Sequence, residues 1–139
     1  MIGHKLESSL YQPVAAYAHN RGFRRQRSEV QFYEYRIDFY GFSRRQNLTV
    51  AIELKLTKWR RAFEQALIYQ LCSDLVYIAV PFKTSLRVDP VLLQAHGIGL
   101  VAVADNGRCR VIIEAIRSFV VRHDYRSEYI NTLKGQKNA

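Results

Sequence analysis

The chain has no apolar run approaching the roughly 18 residues or more that a membrane span needs, and its first residues, MIGHKLESSL, hold no hydrophobic signal core. No membrane association and a cytoplasmic location are therefore expected. Only two cysteines are present, Cys72 and Cys109, and they form no CxxC pair. A reduced, structural role suits both, in keeping with the cytoplasm. The four histidines, His4, His19, His96 and His123, show no ligand spacing, which disfavours a zinc site. There is no P-loop, no dinucleotide glycine motif and no recognisable setting for a catalytic Cys or Ser. Internal repeats, low-complexity tracts and domain-splitting linkers are also missing.

Acidic residues are in short supply. Twelve Asp and Glu stand against 21 Lys and Arg, a formal net charge of +9. Arginines are clustered at Arg21, Arg24, Arg25 and Arg27, at Arg44 and Arg45, and at Arg60 and Arg61. Such a surface attracts polyanions, and the guanidinium fork suits phosphate, so nucleic acid leads as the partner class. A solvated basic surface without a specific partner is the plain alternative.

A chain of 139 residues with 48% hydrophobic content is one ordinary domain, residues 1–139, with a tail at 134–139 expected to fray. Residues 4–20 carry an apolar stripe of Leu6, Leu10, Val14, Tyr17 and Ala18, which predicts a helix ended by Gly22. Pro13 requires either that the regular helix begins near Gln12 or that it kinks. Two strands are expected from Phe23 to Phe42, with Ile37 and Phe39 on the face opposite Arg36, Asp38 and Tyr40. The polar stretch 41–47 turns the chain back into a strand over Leu48 to Leu56. A helix follows from about Lys58 to Cys72, with Trp59, Ala62, Phe63, Ala66, Leu67 and Leu71 on its apolar side. Leu75 to Val80 is a short, nearly continuous apolar strand suited to the centre of a mixed or parallel sheet. A short helix over Ser85 to His96, a strand over Ile98 to Ala104, a turn at Asp105-Asn106-Gly107 and a strand over Arg110 to Glu114 come next. A charged segment, Arg117 to Arg126, precedes a final helix around Tyr125 to Leu133. The order αβββαβαββα argues for a single α/β sandwich with a central mixed β-sheet flanked by helices.

Within the third strand the period of two puts Ala51, Glu53 and Lys55 on one face and Val50, Ile52, Leu54 and Leu56 on the other. An acid and a base on an otherwise apolar strand are costly to bury without a partner or ligand. Asp38 sits mid-strand before them, in the order D-x14-E-x-K, and a hairpin brings it near Glu53. On the helix that follows, Arg61, Gln65 and Tyr69 recur at spacing four.

With Ile37-Asp38, Glu53-Leu54-Lys55 and the RxxxQxxxY helix, the chain resembles the PD-(D/E)xK nuclease superfamily, whose fold is restriction endonuclease-like. The proline of the motif's name is absent here, a departure common across the superfamily. The resemblance runs from Glu7 to the strand Ile98 to Ala104. It implies a Mg²⁺-dependent deoxyribonuclease, with Mn²⁺ as a substitute, that hydrolyses phosphodiester bonds. Asp38 and Glu53 would be carboxylate ligands, with the backbone carbonyl of Leu54 as a further ligand and Glu7 in a supporting metal or water role. Lys55 would orient or deprotonate the attacking water. Gln65 would hold Lys55 or the substrate phosphate, while Arg61, Tyr69 and Lys58 would line the nucleic-acid path. Arg24, Arg25, Arg44 and Arg45 are candidate phosphate contacts.

Each role has a structural alternative. Asp38 could pair with Arg36 or Lys55, Glu53 and Lys55 could be solvated on an edge strand, and Glu7 could serve the helix dipole. Tyr69 could be a core-edge aromatic, and Trp59 and Phe63 read as core. DNA is the expected substrate, cut in a structure-directed or weakly sequence-specific manner, since little length is spare for reading base edges. A non-catalytic nucleic-acid-binding module, or a nuclease subunit of a larger defence or repair complex, are the other readings. A homodimer or a protein partner stays open.

Overall fold

The computed structural model describes residues 6–134. The expected helical residues His4 and Lys5, and the tail beyond Lys134, lie outside the described residues. A 3₁₀ turn at Glu7–Leu10 leads into α1 (Tyr11–Asn20). Pro13 therefore falls in the first turn of α1, where its missing N–H removes no helix hydrogen bond. Leu10, Val14 and Ala18 are buried at helical spacing, and Gly22, at φ +101°, turns the chain out of the helix.

Strands β1 (Arg25–Phe32), β2 (Tyr35–Ser43) and β3 (Leu48–Leu54) follow as an antiparallel meander. Helix α2 (Trp59–Tyr69) crosses over to β4 (Leu75–Pro81), which runs parallel to β3. Two short helices, α3 (Phe82–Ser85) and α4 (Pro90–Ala95), precede β5 (Gly99–Val103), parallel to β4. The hairpin through Gly107 leads into antiparallel β6 (Cys109–Ile113), and α5 (His123–Lys134) closes the described chain. The strands lie in the order β1-β2-β3-β4-β5-β6 in one mixed sheet. This is an α/β sandwich with helices on both faces. Among the described residues no helix is long and apolar enough to cross a membrane.

The apolar run of β4 explains its central place. Val76, Ile78 and Val80 enter the core beneath α2, α4 and α5, while Tyr77 and Ala79 enter the core beneath α1. A strand buried on both faces must be apolar at every position. β3 divides as its alternation requires, with Ala51 on the α2 side and Val50, Ile52 and Leu54 on the α1 side.

Three expectations are corrected. The helix expected over 85–96 starts only at Pro90, separate from α3 ending at Ser85, because Asp89 caps a new helix by accepting from the N–H groups of Val91 and Leu92, with Pro90 at its first position. The last helix starts at His123 rather than Tyr125 and takes in the end of the charged segment, from His123 to Arg126, with Asp124 in its first turn. Ile37 and Phe39 do not share a face: Ile37 packs with Tyr40 on the α2 side and Phe39 on the α1 side. That break lies at Asp38.

Buried Asp74, just before β4, ties the layers together. Its Oδ2 accepts from the Thr49 N–H at 2.8 Å, the Thr49 hydroxyl at 3.0 Å and Arg126 Nε at 2.9 Å. The carboxylate thus joins β3 to α5, a charge kept in the interior by two neutral donors, by Arg126 and, at 3.7 Å from Oδ1, by Arg117.

Candidate active site

Pairing between β1 and β2 joins Ser28 to Phe39 and Val30 to Ile37 but skips Glu29 and Asp38 between them. Glu29 takes φ +53°, in the left-handed region that few non-glycine residues enter. The alternation of β2 slips at this point, and the Asp38 side chain takes the place of a ladder bond. Pairing of β2 with β3 begins at Phe39 and Ile52. One step beyond, Asp38 Oδ2 accepts the Leu54 N–H at 2.8 Å. Because the N–H and C=O of a strand residue point the same way, the Leu54 carbonyl faces the same side.

Glu53 is 3% exposed. The Tyr69 hydroxyl, at the last residue of α2, lies 3.1 Å from Glu53 Oε1 and 3.3 Å from the Arg36 carbonyl. Burial, followed by the charge of nearby Asp38, pushes the Glu53 carboxyl up to about 8, while the Tyr69 hydrogen bond and Lys55 act the other way. Asp38 is also raised, by burial above all, with the Leu54 N–H opposing. Two carboxylates side by side under a low-dielectric cover resist carrying two charges without a cation.

Lys55 is the first residue past β3, anchored by its N–H to the Ala79 carbonyl at 3.1 Å. Its Nζ lies 3.9 Å from Glu7 Oε2 on the 3₁₀ turn. Glu7, Tyr11, Glu29, Asp38 and Leu54 line an open cleft of about 360 Å³ beside α1. Asp38, Glu53, Lys55 and Glu7 are thus brought into one neighbourhood by three separate stretches of structure, β2, the end of β3 and the 3₁₀ turn. The structural alternatives for Asp38 are not formed, for Arg36 pairs with Glu29 at 3.2 Å and Lys55 with Glu7.

Other expected site residues are placed differently. Tyr69 is fully buried, so it does not line a nucleic-acid path, and its hydroxyl positions Glu53 instead. Gln65 does not hold Lys55 by a hydrogen bond, because its Oε1 is buried with no partner. Glu7 is a partner of Lys55, and among the described residues no three His, Cys, Asp or Glu side chains group closely enough to hold a metal together.

The arginines divide by the end of the sheet they occupy. Arg44 and Arg45 are exposed on the β2–β3 turn, six or seven residues along the strand from Asp38, on the order of 20 Å away. Arg24 and Arg25 lie toward that same end, since Arg25 pairs with Phe42. Arg25 also donates to the carbonyl of Lys134 at 3.1 Å, closing the end of α5. These four do not flank the cleft. Lys58 and Arg61 do belong to the right end, exposed where β3 gives way to α2. Exposed Lys83 and Arg87, which the sequence reading missed, follow β4 at that end as well. Their position directly after a central parallel strand was the available signal, because ligands of such sheets gather at the carboxyl ends of the strands.

No protein-family model matches the chain, and comparison with curated proteins yields no match. Among solved structures the chain is similar to the SPO1766 protein of unknown function from Silicibacter pomeroyi, at 21% identity and a TM-score of 0.68, over 90% of this chain and 81% of that one. At that identity the likeness concerns the fold.

Proposed function

We propose that the chain is a metal-dependent nuclease that hydrolyses phosphodiester bonds in DNA, with a restriction endonuclease-like site. The observation that carries this reading is the buried carboxylate pair, Asp38 held by the Leu54 N–H at 2.8 Å and Glu53 beside it, with Lys55 one residue past the strand. An ordinary core does not keep two carboxyls and an ammonium together at the end of its central strands, given the desolvation involved.

The donor set fits Mg²⁺, with Mn²⁺ as a substitute. Two carboxylates and the Leu54 carbonyl are hard oxygen donors, too few for a closed cage but suited to an ion that retains waters and meets substrate phosphate. A bound Mg²⁺ would supply charge relief at the phosphoryl oxygens and a more acidic water. Asp38 and Glu53 would hold it, with Tyr69 orienting Glu53 and Leu54 orienting Asp38. Lys55, steadied by Glu7, would orient the attacking water and offset charge developing on the phosphate. Lys58 and Arg61 would bind flanking phosphates.

Cleavage of a panel of single-stranded, duplex and branched DNA and of RNA, with Mg²⁺ and with Mn²⁺, tests the reading. Cleavage by the wild type and its loss in Asp38→Ala and Lys55→Ala is the expected result. A wild type that cuts nothing yet binds DNA in a salt-sensitive manner would instead make the chain a non-catalytic nucleic-acid-binding module. Activity appearing only with a partner protein would make it the nuclease subunit of a larger complex.

A further inference from the structure

The turn after β4 reads Phe82-Lys83-Thr84-Ser85-Leu86-Arg87 and serves no role in the carboxylate site. Its burial is inverted relative to its chemistry. Phe82 is 50% exposed and Leu86 71%, whereas the hydroxyl-bearing Thr84 is buried. The Thr84 hydroxyl donates to the carbonyl of Leu56, the residue after Lys55, and so fastens the turn to the loop that carries the site lysine. Lys83 and Arg87 stand exposed in the same turn.

The turn lies close to the site. Ala79 is level with Leu54 and accepts the Lys55 N–H. Phe82 follows three residues later, about 10 Å further along the strand direction. An aromatic ring half exposed on the same turn as two exposed cations suits a ligand with flat apolar faces and regularly spaced negative charge. A nucleic-acid strand has both. In an intact duplex, however, the base faces are covered by their neighbours, and a ring can stack only on a base that is unpaired. Cations alone would serve duplex and single strand alike, so it is the ring that discriminates.

We propose that Phe82 is a stacking platform for an unpaired base, with Lys83 and Arg87 on the adjoining phosphates, so that the chain favours DNA carrying single-stranded nucleotides over intact duplex. The proposal rests on the nuclease reading for where the strand runs.

The test is binding of the full chain, in EDTA at low salt, to a short labelled single strand, the blunt duplex of the same sequence, and that duplex with a single-stranded flap. Wild type should bind the single strand and the flapped duplex more tightly than the blunt duplex. Phe82→Ala should weaken binding to the first two by about tenfold and leave the blunt duplex nearly unchanged. Phe82→Trp should restore binding, which separates loss of the ring from loss of fold. A 2-aminopurine base in the flap should be quenched by wild type and by Phe82→Trp but not by Phe82→Ala. Equal losses on all three DNAs, no loss, tighter binding of blunt duplex, or no binding of any DNA would each overturn the proposal, the last pointing to a protein as occupant of the turn. Failure of the nuclease reading is separately visible: the stacking pattern in EDTA without any cleavage in Mg²⁺ leaves Phe82 its role and removes the catalysis. Cleavage indifferent to Phe82 and to strandedness does the reverse.

Discussion

The Tyr69 hydroxyl stands 3.1 Å from Glu53 Oε1, linking the last residue of α2 to the charged end of β3. It is the one neutral donor on Glu53 among the described side chains, and it favours the ionised carboxylate. Tyr69→Phe should lower stability by about 1–2 kcal/mol. It should also raise the proton affinity of Glu53, moving the acidic limb of the pH–rate profile for cleavage to higher pH, with the rate recovering in alkali. Denaturant unfolding together with that profile checks both effects. A rate lowered by one factor at every pH would mean that Tyr69 acts otherwise than through Glu53.

Glu53 itself makes stability depend on pH in a direction opposite to that of an ordinary paired carboxylate. Below its usual value of 4.5 the native and unfolded chains both hold the proton. From there up to about 8 only the native chain holds it, so stability falls as pH rises, by at most about 1.4 kcal/mol per unit. Above about 8 this group causes no further fall. Glu53→Gln should flatten most of that slope in urea melts between pH 5 and 8, while Asp38, raised in the same direction, accounts for a remainder.

The same protonation should oppose a divalent cation. At pH 7 Mg²⁺ binding is expected to release close to one proton, and its affinity to rise by up to about tenfold per pH unit until Glu53 is ionised. Calorimetry in two buffers of different ionisation enthalpy measures the proton count directly. A heat independent of buffer would contradict the assignment of Glu53 as a ligand.

Position along the strands separates the cations. Lys58→Ala, Arg61→Ala and Lys83→Ala should each weaken DNA binding and lower the salt dependence by about one charge, whereas Arg44→Ala and Arg45→Ala at the opposite end should do neither. Fluorescence anisotropy over a salt series distinguishes the two groups.

Asp74 yields a prediction about folding alone. Asp74→Ala leaves the Thr49 N–H and the Arg126 guanidinium without their shared acceptor, in a setting where Arg126 is 12% exposed. A loss of about 3–5 kcal/mol is expected, read by thermal or denaturant unfolding, with little change in the acidic cleft. A variant as stable as wild type would show that the network is dispensable.

Much of this architecture was legible in the chain. The alternation of Val50 to Leu54 placed Glu53 and Ile52 on opposite faces, and the unbroken apolar run of β4 marked it as central, because burial on two faces leaves no position for a polar side chain. Pro13 was legible as marking either a helix start or a kink, and the structure takes the first. The helix start at Asp89-Pro90 was legible too, since a cap followed by proline marks a helix start rather than a helix interior.

The sequence by itself determined which residue types meet: an aspartate on one strand, a glutamate at the end of the next with a lysine two residues on, and a helix rising from them. Periodicity states which face a side chain takes, and it says nothing of which end of the sheet a distant residue reaches. Tertiary structure alone decided that Arg24, Arg25, Arg44 and Arg45 stand away from the cleft, and that Glu7 reaches Lys55 across the start of α1. It also decided that Asp38 lies where the strand alternation breaks, since that break depends on Glu29 of a neighbouring strand adopting a left-handed backbone. Such a conformation is set by pairing between strands, which no local pattern in either strand records.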